Sequence, residues 1–264
     1  MRPLVRKRLG RVLALLPVLA LIWALFVPLP YVIIEPGPTF NVLGKIDGKE
    51  VIERSDGFTE DSVGVLDMTT VSSYGSPGNT PDFWSLVQAF FSTDKVILPL
   101  DSIYPMGKTS DETKSDQAKQ FQTAESDAIS AALAEINTGT FVPSVRFNLH
   151  DVGGPSGGLI FALGVIDKLS PGQLTGGKSI AGTGTISADG KVGPIGGIRL
   201  KMLGAKWAGD RYFLAPRSNC SDVVGFEPAG LTVIPVDTLS EALGVLKVIA
   251  ADGDLSAFPV CSLK

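Results

Sequence analysis

From Val12 to Ile34 the chain carries no charge for 23 residues, and five cations, Arg2, Arg6, Lys7, Arg8 and Arg11, stand before that run. A stretch of this length is enough to cross a bilayer as a helix. Cations flanking such a helix stay on the cytoplasmic side, so the N-terminus is expected in the cytoplasm and everything after Tyr31 outside. The expected layout is a basic tail over 1–11, a transmembrane signal-anchor helix over 12–30 and an extended linker over 31–59. A cleaved signal peptide competes with this reading because Pro17, Pro28 and Pro30 interrupt the run. No small-x-small cleavage site stands near its end, which favours an uncleaved anchor. On either reading the body of the chain is exported.

With 264 residues and 44% hydrophobic content, that body can build one sizeable core. A net charge of -4 supplies no basic field, and aromatics are not interleaved with lysine or arginine, which argues against nucleic-acid binding. Cys220 and Cys261 are an even pair in an oxidising compartment, so they are expected to form a disulfide tying the tail over 251–264 back to the domain; the alternative is two unpaired buried thiols. Two cysteines and one histidine cannot assemble a clustered Cys/His zinc site.

Periodicity places the elements. The β-branched stretch 64–71 reads as a strand, 75–81 as a Gly/Pro/Asn loop and 82–91 as a short helix. The polar run 107–120 reads as a solvated loop or helix face, whereas 125–136 has apolar residues at helical spacing and reads as a packed helix. Val145, Phe147 and Leu149 alternate with polar residues as in a half-buried strand. The glycine-rich GGPSGG and the apolar helix LIFALGVIDKL follow, with Ser156 expected in that helix's first turn. Residues 179–186 read as a strand, Asp189-Gly190 as a hairpin turn and 198–208 as a helix. Two more strands, 211–216 and 231–236, precede a closing helix that opens on the capping box Thr238-x-x-Glu241. Alternating elements with one hairpin imply an α+β architecture with βαβ units and a mixed sheet.

Gly154-Pro155-Ser156-Gly157-Gly158 admits three chemistries. A lipase-like triad needs a histidine after the serine, and the single histidine, His150, precedes it. His150 reads more simply as a structural residue at a strand end. A phosphate loop is spelled by Gly172 to Ser179, G-x-x-x-x-G-K-S, but that motif requires a strand before it and a helix after it. Here the order is inverted, so the match reads as coincidence, and no nucleotide, metal or other cofactor is implied. The third chemistry uses a lysine as base, provided burial strips its charge: a fall of roughly 2 to 3 pH units from about 10.4 suffices. Lys201 shares a helical stripe with Ile198, Met202 and Ala205, while Lys206 lies off it. A lysine on such a stripe either extends to the surface or stays buried.

GPSGG (154–158), AGTGTI (181–186) and PIGGIRLK (194–201), with 45 positions from serine to lysine, together resemble the proteolytic domain of the Lon family. The likeness extends over roughly 60–250, including ESDAISAAL. It implies a Lon-like mixed sheet, Ser156 as nucleophile, Lys201 as its base and Thr183 as the residue that helps hold the lysine. Segments such as VPLPYVIIEPGP and GKVGPIGGI are similar to membrane-anchored Lon-like peptidases of Gram-positive bacteria, which lack an ATPase. Those relatives usually carry a PDZ domain where this chain has only NTGTFVPS (137–144), and alanine where it has Gly157.

The resemblance implies an ATP-independent serine endopeptidase acting on unfolded or extended polypeptide, with backbone N–H groups around Gly154 and Gly157 facing the oxyanion, and with homo-oligomers as a family expectation. Two alternatives stay open: an inactive anchored module for binding or assembly, and a non-proteolytic Ser-Lys amidase. A purely structural role gives no reason to place lysine on an apolar stripe, which favours the enzyme.

Overall fold

The computed structural model describes Pro17, Trp23 and residues 27–57, 62–136, 144–149, 152–170 and 173–262. Its strands are β1 (Tyr31–Asn41), β2 (Lys45–Ile46), β3 (Lys49–Glu50), β4 (Ile52–Arg54), β5 (Val65–Tyr74), β6 (Val96–Pro99), β7 (Val145–Phe147), β8 (Ser179–Gly182), β9 (Thr185–Ile186), β10 (Val192–Gly193), β11 (Tyr212–Pro216) and β12 (Thr232–Val236). Its helices are α1 (Phe83–Phe90), α2 (Ser110–Ile136), α3 (Gly158–Leu169), α4 (Ile198–Ala208), α5 (Cys220–Val223) and α6 (Leu239–Ala250). Two compact units emerge. The larger comprises Pro36–Ser72 with Asp111–Lys264; the smaller takes its described residues from Met1–Glu35 and Ser73–Ser110.

In the larger unit the strand order is β12-β11-β8-β5-β1. The first four are mutually parallel. The Val42 N–H donates to the Leu66 carbonyl at 2.9 Å and the Thr70 hydroxyl to the Pro38 carbonyl at 2.6 Å. These pairs run in opposite senses along the chain, so β1 is antiparallel to β5 and the sheet is mixed. The Asp189-Gly190 turn was the expected source of mixing, but it joins β9 to β10 in a separate two-stranded ribbon.

Side chains on alternate strand positions divide the core into two layers. Ile180 and Leu214 join α3 and α6 in one cluster, while Ala181, Phe213 and Ala215 meet Ile198, Met202 and Ala205 of α4 in the other. Helix α3 is apolar around its circumference and is buried from Gly158 to Lys168, the expected fate of a helix with no polar face. Gly164 lets it close on the strands, since a Cβ there would meet Val42 Cγ2 at 2.9 Å and run into Ile52 Cδ1.

Several expectations are corrected. The segment expected as a linker, 31–59, instead contains β1, the small β2-β3 hairpin and β4, which pairs with β7. Pro36 and Pro38 gave it the look of a loop, yet between them β1 runs so close to Thr70 and Val71 that a Cβ at Gly37 would collide with both. Residues 73–110, expected inside one domain over 60–250, group instead with the chain before Pro36. The polar run 107–120, by contrast, is the expected solvated helix face from Ser110 onward: only Thr113 of 110–120 is buried, and Phe121 and Ala124 continue the packed side beyond it. Residues 179–186 are not one strand; the ladder breaks at Thr183-Gly184. Ser156 precedes α3 rather than lying within it.

Most of the expected anchor lies outside the described residues, and among the described residues no helix is long and apolar enough to cross a membrane. Residues 27–30 are non-helical, and Tyr31–Ile34 of the uncharged run are strand, paired antiparallel with β6. Pro28 and Pro30 cannot continue a helix, and the β-branched Val32-Ile33-Ile34 favours a ladder. His150 and 137–143 also lie outside the described residues.

The phosphate-loop lookalike does follow helix α3 and precede strand β8. Its Thr175 hydroxyl donates to the Val63 carbonyl at 2.7 Å, and Lys178 pairs with Asp252 at 2.5 Å, so described parts of this loop fasten the fold. Cys220 and Cys261 form a disulfide with Cα atoms 5.0 Å apart and a sequence separation of 41. Closing a loop of that size restricts the unfolded chain, so Cys261→Ser should lower unfolding free energy by about 2–4 kcal/mol. Guanidinium denaturation with and without reductant checks this: reductant should remove the difference between variant and parent.

Candidate active site

The GGPSGG loop and the start of α3 are held at three points. Gly154 has φ of +81°, a conformation glycine adopts without strain, and its N–H donates to the Gln117 carbonyl of α2 at 2.9 Å, so that N–H is committed to the fold and does not face an oxyanion, contrary to expectation. The Ser156 carbonyl accepts from the Gly184 N–H at 2.8 Å, and the Gly184 carbonyl accepts from the Leu159 N–H at 3.0 Å. The break between β8 and β9 therefore laces directly onto the loop before α3. Thr183, at that break, is fully buried, and its N–H donates to the Leu214 carbonyl at 3.1 Å.

Lys201 enters from the opposite layer. Gly197, with φ of +71°, turns the chain into α4. One turn later, Lys201 lies on the face with Ile198, Met202 and Ala205, only 2% exposed, while Lys206 is exposed. Lys201 Nζ stands 2.7 Å from Ser156 Oγ and 2.9 Å from Thr183 Oγ1. The Thr183 hydroxyl donates to the Ser156 carbonyl at 3.0 Å. That bond fixes the remaining protons. Thr183 Oγ1, its own hydrogen committed, can only accept from the amine, and a neutral amine that gives one N–H to Thr183 can keep its lone pair for the Ser156 hydroxyl.

Burial also weakens the hold of the amine on its proton. Desolvation lowers the Lys201 amine from 10.5 to about 7. A buried ammonium is disfavoured because surrounding groups cannot replace its hydration. The result is an amine able to shed its proton near neutrality.

Ser156 and Lys201 line a cleft of about 620 Å³ that Met68–Ser72 of β5 and the Pro194-Ile195-Gly196 turn also line. Phe40, Phe121 and Val152 contribute apolar wall. Among the described residues no cluster of His, Cys, Asp and Glu is arranged to hold a metal ion.

Two contributors carried no signal in the sequence. Asn219 is buried and clamps Ile195 from both sides: its Oδ1 accepts from the Ile195 N–H and its Nδ2 donates to the Ile195 carbonyl, each at 2.9 Å. Met68 packs over Gly157, where an added Cβ would run into Met68 Sδ and approach Phe161 Cε2 at 3.1 Å. Gly157 is therefore matched to Met68.

Comparison with known proteins places this stretch. The family described as the Lon protease (S16) C-terminal proteolytic domain matches residues 150–249, which include Ser156, Thr183 and Lys201. A Lon protease of Chloroflexus aurantiacus is 44% identical over 95 residues, covering 35% of this chain and 11% of that protein. Lon protease 2 of Herpetosiphon aurantiacus is 38% identical over 95 residues, and a Lon protease of Azospirillum brasilense 33% over 93, again with 11% of each relative covered. The chain thus spans about a tenth of the length of these relatives. The motif-based resemblance is borne out across the matched stretch.

Proposed function

We propose that this chain, which carries a Lon-type proteolytic domain over 150–249, is an ATP-independent serine endopeptidase with a Ser156–Lys201 dyad, anchored in the cell membrane by its N-terminal run with the catalytic domain outside. The observation that carries the proposal is a buried amine 2.7 Å from a hydroxyl, both lining one cleft. Neutral Lys201 takes the Ser156 proton as Oγ attacks the scissile carbonyl; the ammonium then returns that proton to the departing amine. Water repeats the sequence on the acyl-enzyme. Backbone N–H groups around Ser156, at the start of α3, stabilise the oxyanion, with Gly154, where an added Cβ would meet nothing within 4 Å, leaving room for the substrate backbone. The cleft suits an extended polypeptide, and no step draws on nucleotide or metal. The uncharged run with cations on one side supports the membrane placement, and assembly into homo-oligomers is part of the same proposal.

The test is hydrolysis of an unfolded protein by the detergent-solubilised chain, unaffected by ATP or by chelators. Because the base acts only when neutral, kcat/KM should rise with pH through about 7 and then level. A profile flat from acid pH upward would remove Lys201 as the base. Thr183→Val removes the acceptor for the lysine and the donor to the Ser156 carbonyl. At about 1–3 kcal/mol for a broken buried hydrogen bond, kcat should fall about tenfold to a hundredfold with KM nearly unchanged, and Thr183→Ser should restore most of it.

A further inference from the structure

The smaller unit presents an apolar surface that the proteolytic chemistry does not use. Helix α1, capped by Asp82 whose Oδ1 accepts the Ser85 N–H at 2.7 Å, turns Leu86 and Ala89 inward onto Ile33, Ile97 and Leu29. Its other side is aromatic and open: Trp84 is 59%, Phe90 74% and Phe91 80% exposed. The rings pair edge-on, Phe83 with Trp84 and Phe90 with Phe91, with centroids 5.4 and 5.3 Å apart. From Phe83 to Phe91 the sequence FWSLVQAFF contains no charged residue. Leaving a large apolar side chain in water forfeits about 1.5–3 kcal/mol of burial, so three together mark a surface that something covers.

We propose that this aromatic face is a membrane-interface surface, resting Trp84, Phe90 and Phe91 among the lipid headgroups beside the point where the anchor leaves the bilayer. The inference rests on the anchoring proposed above. Its occupant follows from position and chemistry. Leu29, which packs with the inner side of α1, belongs to the end of the uncharged run, so the helix is held against the last residues before the chain enters β1. The apolar phase met at that place is the bilayer. Tryptophan and phenylalanine suit its boundary, where ring faces meet acyl chains and edges meet headgroups. With no cation on α1, contact should depend on apolar burial and not on anionic lipid or ionic strength.

The test uses the full chain with Trp23→Phe and Trp207→Phe, leaving Trp84 as the one fluorophore, reconstituted in phosphatidylcholine vesicles whose acyl chains are brominated near the carbonyl end. A second chain retaining only Trp207 is the control. The expected result is several-fold stronger bromine quenching of Trp84 than of Trp207, unchanged in high salt and reduced by Phe90→Ser with Phe91→Ser. Carbonate washing reports the anchor separately. A chain that resists the wash while Trp84 is quenched no more than Trp207 overturns the surface and leaves the anchor standing. A chain stripped by carbonate although Trp84 was quenched beforehand keeps the surface and removes the anchor; stripping without prior quenching removes both. Trp84 shielded from aqueous quencher but untouched by bromine would assign the face to another protein molecule and overturn the proposal.

Discussion

Ser156→Ala, Lys201→Met and the double variant should hydrolyse unfolded polypeptide at nearly the same residual rate, each at least about a thousandfold below the parent in kcat/KM. The equality matters more than the size. Ser156 Oγ and Lys201 Nζ lie 2.7 Å apart and, in the proposed mechanism, act on one proton, so once either is gone the other has nothing left to do. Independent contributions would instead multiply, driving the double variant far below either single one. Lys201→Arg should fail as fully as Lys201→Met, because a guanidinium stays protonated throughout the working pH range and has no lone pair to offer. Initial rates on a fluorogenic unfolded substrate, with circular dichroism showing retained structure, measure all four variants. Parent-like cleavage by Ser156→Ala would sink the nucleophile assignment. Loss through Ser156→Ala together with full activity in Lys201→Met would move the base elsewhere.

What the sequence disclosed about this site and what it concealed divide along a physical line. Ser156 and Lys201 stand out because each sits in a local pattern, glycines clearing space around the serine and a lysine interrupting an apolar helical stripe, whereas Thr183 is marked only by the resemblance of AGTGTI to the Lon proteolytic domain. Their convergence was not local. It depends on the break after Gly182, which the eye reads as continuous strand because Ile180, Ala181, Thr185 and Ile186 all favour β structure. Asn219 was silent because a buried clamp on Ile195 is made by a side chain type that usually marks a surface turn, from 24 residues away. β1 was hidden by its own prolines. The smaller unit was missed because its pieces lie far apart in the chain, and their pairing across β1 and β6 leaves no periodic trace.

Keeping Lys201 in a dry site should be visible as a stability cost with a definite pH signature. Its folded value, about 7, lies below its unfolded value near 10.5, so between those limits the unfolded chain binds the extra proton and stability rises with pH. Buried carboxyls act in the opposite sense over a lower range. Desolvation raises Asp67 to about 6 and Asp210 to about 7, so their contribution is present in acid and lost as pH climbs from about 4 toward 7. Unfolding free energy should therefore pass through a minimum near pH 7. Lys201→Met keeps the shape of the side chain among Ile198, Met202 and Ala205 while removing the charge. It should be more stable than the parent at pH 7 by up to about 5 kcal/mol, the free-energy equivalent of the fall from 10.5 to about 7, and the gap should close as pH approaches 10.5. Guanidinium denaturation of both proteins from pH 6 to about 10 gives the difference directly, since titrations they share cancel. A gap independent of pH would mean that the amine keeps its proton in the folded state, and the base proposed for Ser156 would be lost with it.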